Sequence, residues 1–502
     1  MERTDRAGAR EWLGLAVLAL PTLLLSVDAT VLYLALPHLG ADLRPTGAET
    51  LWIIDIYGFM IAGFLITMGT LGDRIGRRRL LVVGALAFGA ASVAAAYASD
   101  PAVLIAARAL LGVAGATLMP STLALITNMF HDATQRGVAI GVWAACFSAG
   151  VAAGPLIGGA LLELFWWGSV FLLAVPVMVV LLVAAPLLLP ESRDPAPGRL
   201  DLASVALSLA AILPVIYGLK AVAADGVGLV AAAAIAVGLG FGAWFVRRQR
   251  SLPDPLLDVR LFTRPAFAGA LLALLVGLAV VGAVYLFVTQ YLQMVAGLSP
   301  LAAGLWLLPS AVAMIVSSMV APVVARRVAP GVLVAVALGI SAVGYLLLAF
   351  VSGPDGLALV VTGLVVVYAG IGPMMALGTD LVVGAAPAER AGSAAAMSET
   401  SMEFGLALGV AVLGSVGTAV YRSELPPGTP ADAVESLAGA LAVGGADVVA
   451  AARSAFTSGL TAVGVVSAVA TVLVAFATLF LVRVPAAGTE EITPAEGRTS
   501  RA

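Results

Sequence analysis

The chain has 502 residues, of which 61% are hydrophobic and only 11% charged, less than half of the roughly 25% charge of an ordinary soluble protein, so a water-soluble globular fold is excluded and lipid is the main solvent. With 26 basic against 29 acidic residues the formal net charge is −3, which leaves no basic excess for a phosphate backbone and argues against nucleic acid as a partner. Cys146 is the only cysteine and His38 and His131 are the only histidines, so an internal disulfide and cysteine-held metal clusters are ruled out, and neither a metal nor a cofactor is expected.

A helix of about 20 apolar residues crosses about 30 Å of hydrocarbon. Fourteen such stretches are predicted, at 12–36, 51–70, 80–98, 102–127, 137–162, 168–189, 201–220, 227–246, 267–291, 301–324, 332–351, 357–381, 393–420 and 456–482. Their apolar residues do not alternate with polar ones, as they would in barrel strands. The first is too long for a signal-peptide core and is read as retained.

An even number of spans puts both termini on one side. Of the 26 basic residues, those in the terminal-side loops include Arg74, Arg77, Arg78, Arg79, Arg247, Arg248, Arg326 and Arg327. The opposite loops receive only Arg44, Lys220, Arg422 and Arg453, and Arg108 falls inside a span. The positive-inside rule then makes both termini cytoplasmic, in a multi-pass protein of the cell membrane.

Three loops are long: the Pro-rich stretch 190–200, the basic loop 247–266 and the outer loop 421–455. The first two bracket spans seven and eight, leaving six spans before and six after. The expected units are a six-helix bundle over 1–190, an inserted helix pair with its linkers over 191–266, a second six-helix bundle over 267–484 and a cytoplasmic tail over 485–502. GDRIGRRRLL after span two is echoed by VARRVAPGVL after span ten, which fits parallel halves around a central site.

Charges inside spans are costly and functional by default. Asp28 stands on span one, Asp55 on span two and Arg108 on span four, all expected in the outer half and within pairing distance. For Asp28 and Asp55 a structural ion pair with Arg108 is the competing reading. Glu399 and Glu403 on span thirteen are four apart, hence on one helix face, and two carboxylates that close in low dielectric titrate as a coupled pair. That suits proton exchange. Asp380, near the inner end of span twelve, is read as a solvated structural residue.

Two glycine-rich segments complete the pattern. Gly69, Gly72, Asp73, Arg74, Gly76, Arg77 and Arg78 lie in the loop after span two, where glycines permit a tight turn and arginines hold it on the cytoplasmic side. Asp73 can serve as a gate, pairing with a cation or helix N-terminus in one conformation only, or the loop can be a topology anchor. On span five, Gly150, Gly154, Pro155, Gly158 and Gly159 weaken a helix and permit close packing. The G-x-G-x-x-A match at Gly238, Gly240 and Ala243 lies inside an apolar span with no strand before it and is accidental.

These segments resemble the major facilitator superfamily, over nearly the whole chain, and in particular its fourteen-span drug:proton antiporter branch of the quaternary-ammonium and multidrug exporter type. The first glycine segment matches that family's loop motif between spans two and three, and the second its antiporter signature. Asp28 falls in a segment similar to the branch's span-one signature, and Arg108 with Gly112 in one similar to the span-four motif, whose arginine is implicated in proton coupling. Glu399 and Glu403 match acids of the quaternary-ammonium exporters. Some of those carry further acids where this chain has Ser398 and apolar residues near Met314. The resemblance implies an all-α membrane fold of two six-helix bundles with an inserted pair, and proton coupling through Asp28, Asp55, Arg108, Glu399 and Glu403.

If the family layout holds, Trp52, Tyr57, Trp143, Phe147 and Trp306 lie on spans that line a cavity, where aromatic faces attract cations. Interfacial belts and packing account equally for membrane tryptophans, Trp52 among them. No phosphate-binding loop, nucleophile elbow or H-E-x-x-H is present, so the chain is not expected to be an enzyme or to use ATP, and an ion gradient remains as energy source. A membrane enzyme would need a reactive cluster at one interface, and a sensor a soluble output domain. The expected function is proton-driven efflux of lipophilic, cationic drugs by a monomer, with small molecules, protons and lipid as partners. Export of one endogenous metabolite or antibiotic is the alternative.

Overall fold

In the computed structural model, residues 7–193, 200–253, 255–387 and 390–482 are described. The expected tail 485–502 lies outside them, as do Arg3, Arg6, Arg199, Arg483, Arg498 and Arg501, which also fall on the terminal side of the predicted spans. The α-helices in chain order are α1 (Ala9–Leu43), α2 (Gly47–Ile75), α3 (Arg77–Ala96), α4 (Pro101–Met129), α5 (Ala133–Leu164), α6 (Ser169–Leu172), α7 (Ala174–Leu188), α8 (Leu202–Asp225), α9 (Leu229–Ser251), α10 (Pro265–Gln290), α11 (Pro300–Val324), α12 (Pro330–Leu348), α13 (Leu357–Gly384), α14 (Ala391–Glu424), α15 (Ala431–Glu435), α16 (Leu437–Val443) and α17 (Ala446–Leu481). With α6 and α7 forming one crossing, 14 spans result, one for each predicted stretch.

Polar caps set the helix limits outside the apolar runs. Thr46 starts α2, accepting from the Glu49 amide at 3.2 Å while the Glu49 carboxylate accepts from the Thr46 amide at 2.9 Å, a reciprocal cap that satisfies two otherwise orphaned donors. Asp100 caps α4 ahead of Pro101, and Asp132 caps α5. The expected outer loop 421–455 is different. Its alanine-rich middle folds into α15 and α16, and α17 begins at Ala446 rather than near 456. The Tyr421 hydroxyl donates to the Ala433 carbonyl at 2.6 Å and Arg422 pairs with Glu435 at 2.7 Å, so this stretch is held against the helix ends.

Helices α1 to α7 form one six-span bundle, in which α1 packs on α5, α2 on α4, and α3 on α4 and α7; α10 to α14 and α17 form the other, in which α10 packs on α14, and α12 on α13 and α17. The inserted α8 and α9 pair with each other, and α8 leans on both α2 and α14. The two bundles meet along α2 with α14 and along α5 with α11.

Contacts across that seam cluster in the half away from the termini. Tyr33 and Tyr285 meet edge to face at 5.1 Å, and Gln293 donates to the Leu34 carbonyl at 3.1 Å. Ser299 donates to Glu163. Toward the terminal side, a methyl group placed on Gly137 or Gly141 of α5, or on Gly384 or Gly392 beside the α13–α14 turn, would meet no atom within 4 Å. The seam is thus packed at its far end, and these terminal-side glycines stand in open space.

Lys220, read as a cation of the far-side loops, lies inside α8, which continues to Asp225, and is only 3% exposed. Ala221, Val222 and Ala223 carry the helix on past this residue, and an acid on α2 compensates its charge.

Candidate functional site

On α1, Asp28 is 6% exposed, and on α4, Arg108 is 2% exposed. The Arg108 Nη1 donates to Asp28 Oδ2 at 3.1 Å and its Nε donates to the Ile53 carbonyl of α2 at 3.1 Å. Its guanidinium carbon stands 4.3 Å from the centre of the Tyr57 ring. Three helices therefore converge on one arginine. Close approach of α4 to α2 depends on Gly112, where a methyl group would lie 2.5 Å from the Tyr57 carbonyl oxygen and 2.7 Å from Met60 Cβ. A buried pair with this many hydrogen bonds offsets much of its desolvation cost.

Asp55 does not join that arginine. It is 1% exposed and pairs instead with Lys220 Nζ at 2.7 Å, and the ammonium also stands 3.8 Å from the centre of the Trp52 ring. The competing reading of Asp55 as a partner of Arg108 is therefore replaced by a pair that the inserted α8 supplies.

Glu399 and Glu403 project from one face of α14, both half-buried. Among the described residues neither has a hydrogen-bond or ion-pair partner. Glu403 lies beside the paired sites: its backbone carbonyl approaches Gly58 of α2, one residue from Tyr57 and three from Asp55. Asp28, Arg108, Asp55 and Glu403, four of the five charges named from sequence, thus gather on or beside the Ile53–Gly58 stretch of α2, with Glu399 a helical turn away on the terminal side.

The span-five glycines form a packing face. Methyl groups on Gly150, Gly154 and Gly158 would collide with Ser26, Thr30 and Val31 of α1, and one on Gly159 would lie 2.7 Å from Leu301 Cα on α11. The Pro155 carbonyl in turn lies over Gly304 of α11. One helix face therefore joins α5 to α1, while its far end reaches the other bundle. Gly154→Val is expected to force α1 and α5 apart at a cost of about 1–3 kcal/mol, read as a lower unfolding midpoint of the purified protein.

In the loop motif, Asp73 pairs with Arg77 at 2.6 Å, within its own bundle. Gly76 has φ +112°, a region that side chains rarely enter, and the Glu191 carboxylate occupies the space a side chain would need. Glu191 accepts from the Arg78 amide at 3.1 Å, while Arg78 donates to the Leu189 carbonyl at 3.0 Å. A carboxylate at the start of α3 is favoured by the helix dipole. Gly69 has only Pro120, at 4.0 Å, near the position of its absent side chain.

Of the aromatic residues, Tyr57 belongs to the charged cluster. Trp143 donates to Thr122 of α4 at 3.2 Å, and Phe147 is half-buried on α5. Trp306 is 43% exposed, on the side of α11 opposite Gly304. Lys220, Tyr33 and Glu191 were not singled out from sequence as site residues. The only signal for Lys220 was its being the sole lysine, at the edge of an apolar run.

The chain matches the model of the Major Facilitator Superfamily over residues 18–410. The multidrug efflux pump LfrA of Mycolicibacterium smegmatis is 45% identical over 480 residues, covering 93% of this chain and 95% of its own. The methyl viologen resistance protein SmvA of Salmonella typhimurium is 36% identical over 433 residues, covering 85% and 86%. A bacterial homolog of the human lysosomal transporter Spinster, solved inward-facing and unoccupied, aligns with a TM-score of 0.67 at 18% identity over 95% of this chain and 98% of that one. That last likeness speaks for the fold alone. Fourteen spans, the extent of the family match and the similarity to efflux proteins agree: this chain belongs to the Major Facilitator Superfamily.

Proposed function

We propose that the protein is a proton-driven exporter of lipophilic, cationic compounds, acting as a monomer in the cell membrane with both termini in the cytoplasm. The observation that carries this reading is a pair of carboxyl groups, Glu399 and Glu403, on one face of a membrane span without a counter-ion among the described residues. Charge inside a bilayer is expensive, so an unpaired acid there marks an ion or substrate pathway. A carboxylate that gives up its proton acquires the charge that attracts a cation, and reprotonation removes it. Proton and drug then compete for one site, which is the requirement for exchange.

The two bundles, taken as 1–190 and 267–484, rock about that site. In the arrangement described here the seam is packed on the side away from the termini, so the carboxyl pair is reached from the cytoplasm. Asp28 and Arg108 hold α1, α2 and α4 together beside it, and the Asp73 loop gates the cytoplasmic side. Relatives named for multidrug efflux and for methyl viologen resistance support a broad range of substrates.

Reconstitution tests the reading. In vesicles with an imposed pH gradient, ethidium is expected to accumulate against its own gradient, and collapsing the pH gradient is expected to stop it. Accumulation indifferent to that collapse would remove proton coupling from the account.

A further inference from the structure

We propose that Asp55 and Trp52 form a cation-binding site whose resident occupant is the ammonium of Lys220, a tethered competitor that sets the affinity for lipophilic organic cations. The inference rests on the export reading above. It adds a site that depends on the inserted helix pair.

A carboxylate and an aromatic face are the two contacts that a desolvated organic cation takes. Lys220 Nζ has both, 2.7 Å from Asp55 Oδ2 and 3.8 Å from the Trp52 ring centre. Yet that carboxylate is the one polar group at the ammonium. Among the described residues no second acceptor reaches Nζ and nothing else reaches Asp55, whereas Arg108 bonds to both Asp28 and a backbone carbonyl. An ammonium carries three N–H donors, and leaving buried donors unsatisfied is costly. A quaternary or aromatic cation has few or none to leave unsatisfied. The site thus holds its own lysine by a single carboxylate contact and a ring face, with ammonium donors left over, and suits a cation without donors better.

Position makes the exchange feasible. Lys220 sits near the end of α8, which stops at Asp225, so its flexible stem can carry the displaced ammonium toward the membrane boundary. The pair lies beside the seam between the bundles, where Phe59 of α2, Ile216 of α8, and Ala407 and Ala411 of α14 form a small apolar cluster. Opening that seam at its far side uncovers Asp55 from the α14 side. A lysine that only pins α8 to α2 would share the geometry but not the competition.

Tetraphenylphosphonium binding to the purified full-length protein in lipid nanodiscs separates the two, with unfolding midpoints recorded for every variant. Lys220→Met is expected to tighten tetraphenylphosphonium binding by about tenfold, and adding Asp55→Asn to it is expected to abolish the gain. Lys220→Arg keeps the charge and offers Asp55 a bidentate partner, so it is expected to weaken tetraphenylphosphonium binding. A folded Lys220→Met protein with wild-type or weaker affinity overturns the proposal. If that variant does not fold, unchanged affinity in Lys220→Arg overturns it. Failure of the export reading is seen separately, as wild-type vesicles that accumulate no ethidium under a pH gradient.

Discussion

Replacing Arg108 by methionine is expected to abolish uphill transport and to destabilise the protein, because it strands Asp28, 6% exposed, without its cation. Breaking a buried pair from one side costs about 3–5 kcal/mol, and here the loss extends to the Ile53 carbonyl and the Tyr57 ring, which the same guanidinium engages. The double variant Arg108→Met with Asp28→Asn is expected to regain much of that stability and none of the transport. Unfolding midpoints and ethidium flux in reconstituted vesicles check both halves. An inactive but stable double variant assigns the pair to the transport cycle, whereas recovery of transport along with stability assigns it to packing.

The opposite pattern is expected for Glu403→Gln. Since this carboxyl group has no partner among the described residues, its neutral replacement leaves no charge stranded, and the unfolding midpoint is expected to stay the same or to rise. Uphill extrusion is expected to fall to the level of empty vesicles, while downhill movement of ethidium survives. Glu399→Gln is expected to be milder, because Glu399 lies a helical turn farther from Tyr33 and the paired charges.

The contrast between these acids shows what a sequence displays and what it conceals. Asp28, Asp55, Arg108, Glu399 and Glu403 stand out because a charge in an apolar run is conspicuous at any depth. The number of spans is legible for the same reason. Pairing is not, since helices far apart in sequence decide it: Asp55 and Arg108 are both expected in the outer half, yet Asp55 is taken by Lys220 from the inserted helix pair. Helix ends are blurred too. Hydropathy stops at the membrane boundary whereas hydrogen bonding does not, so α17 runs back to Ala446 and α8 on past Lys220. Glu191 escaped notice because its role depends on residues 189–192 folding back onto the start of α3.

Proton release on drug binding addresses the exchange most directly. Adding ethidium to the wild-type protein in weakly buffered solution is expected to acidify it as binding saturates, and the variant carrying both Glu399→Gln and Glu403→Gln is expected to release none. Saturable binding by the wild type with no acidification, or equal acidification by the double variant, would contradict the assignment of exchange to these two residues.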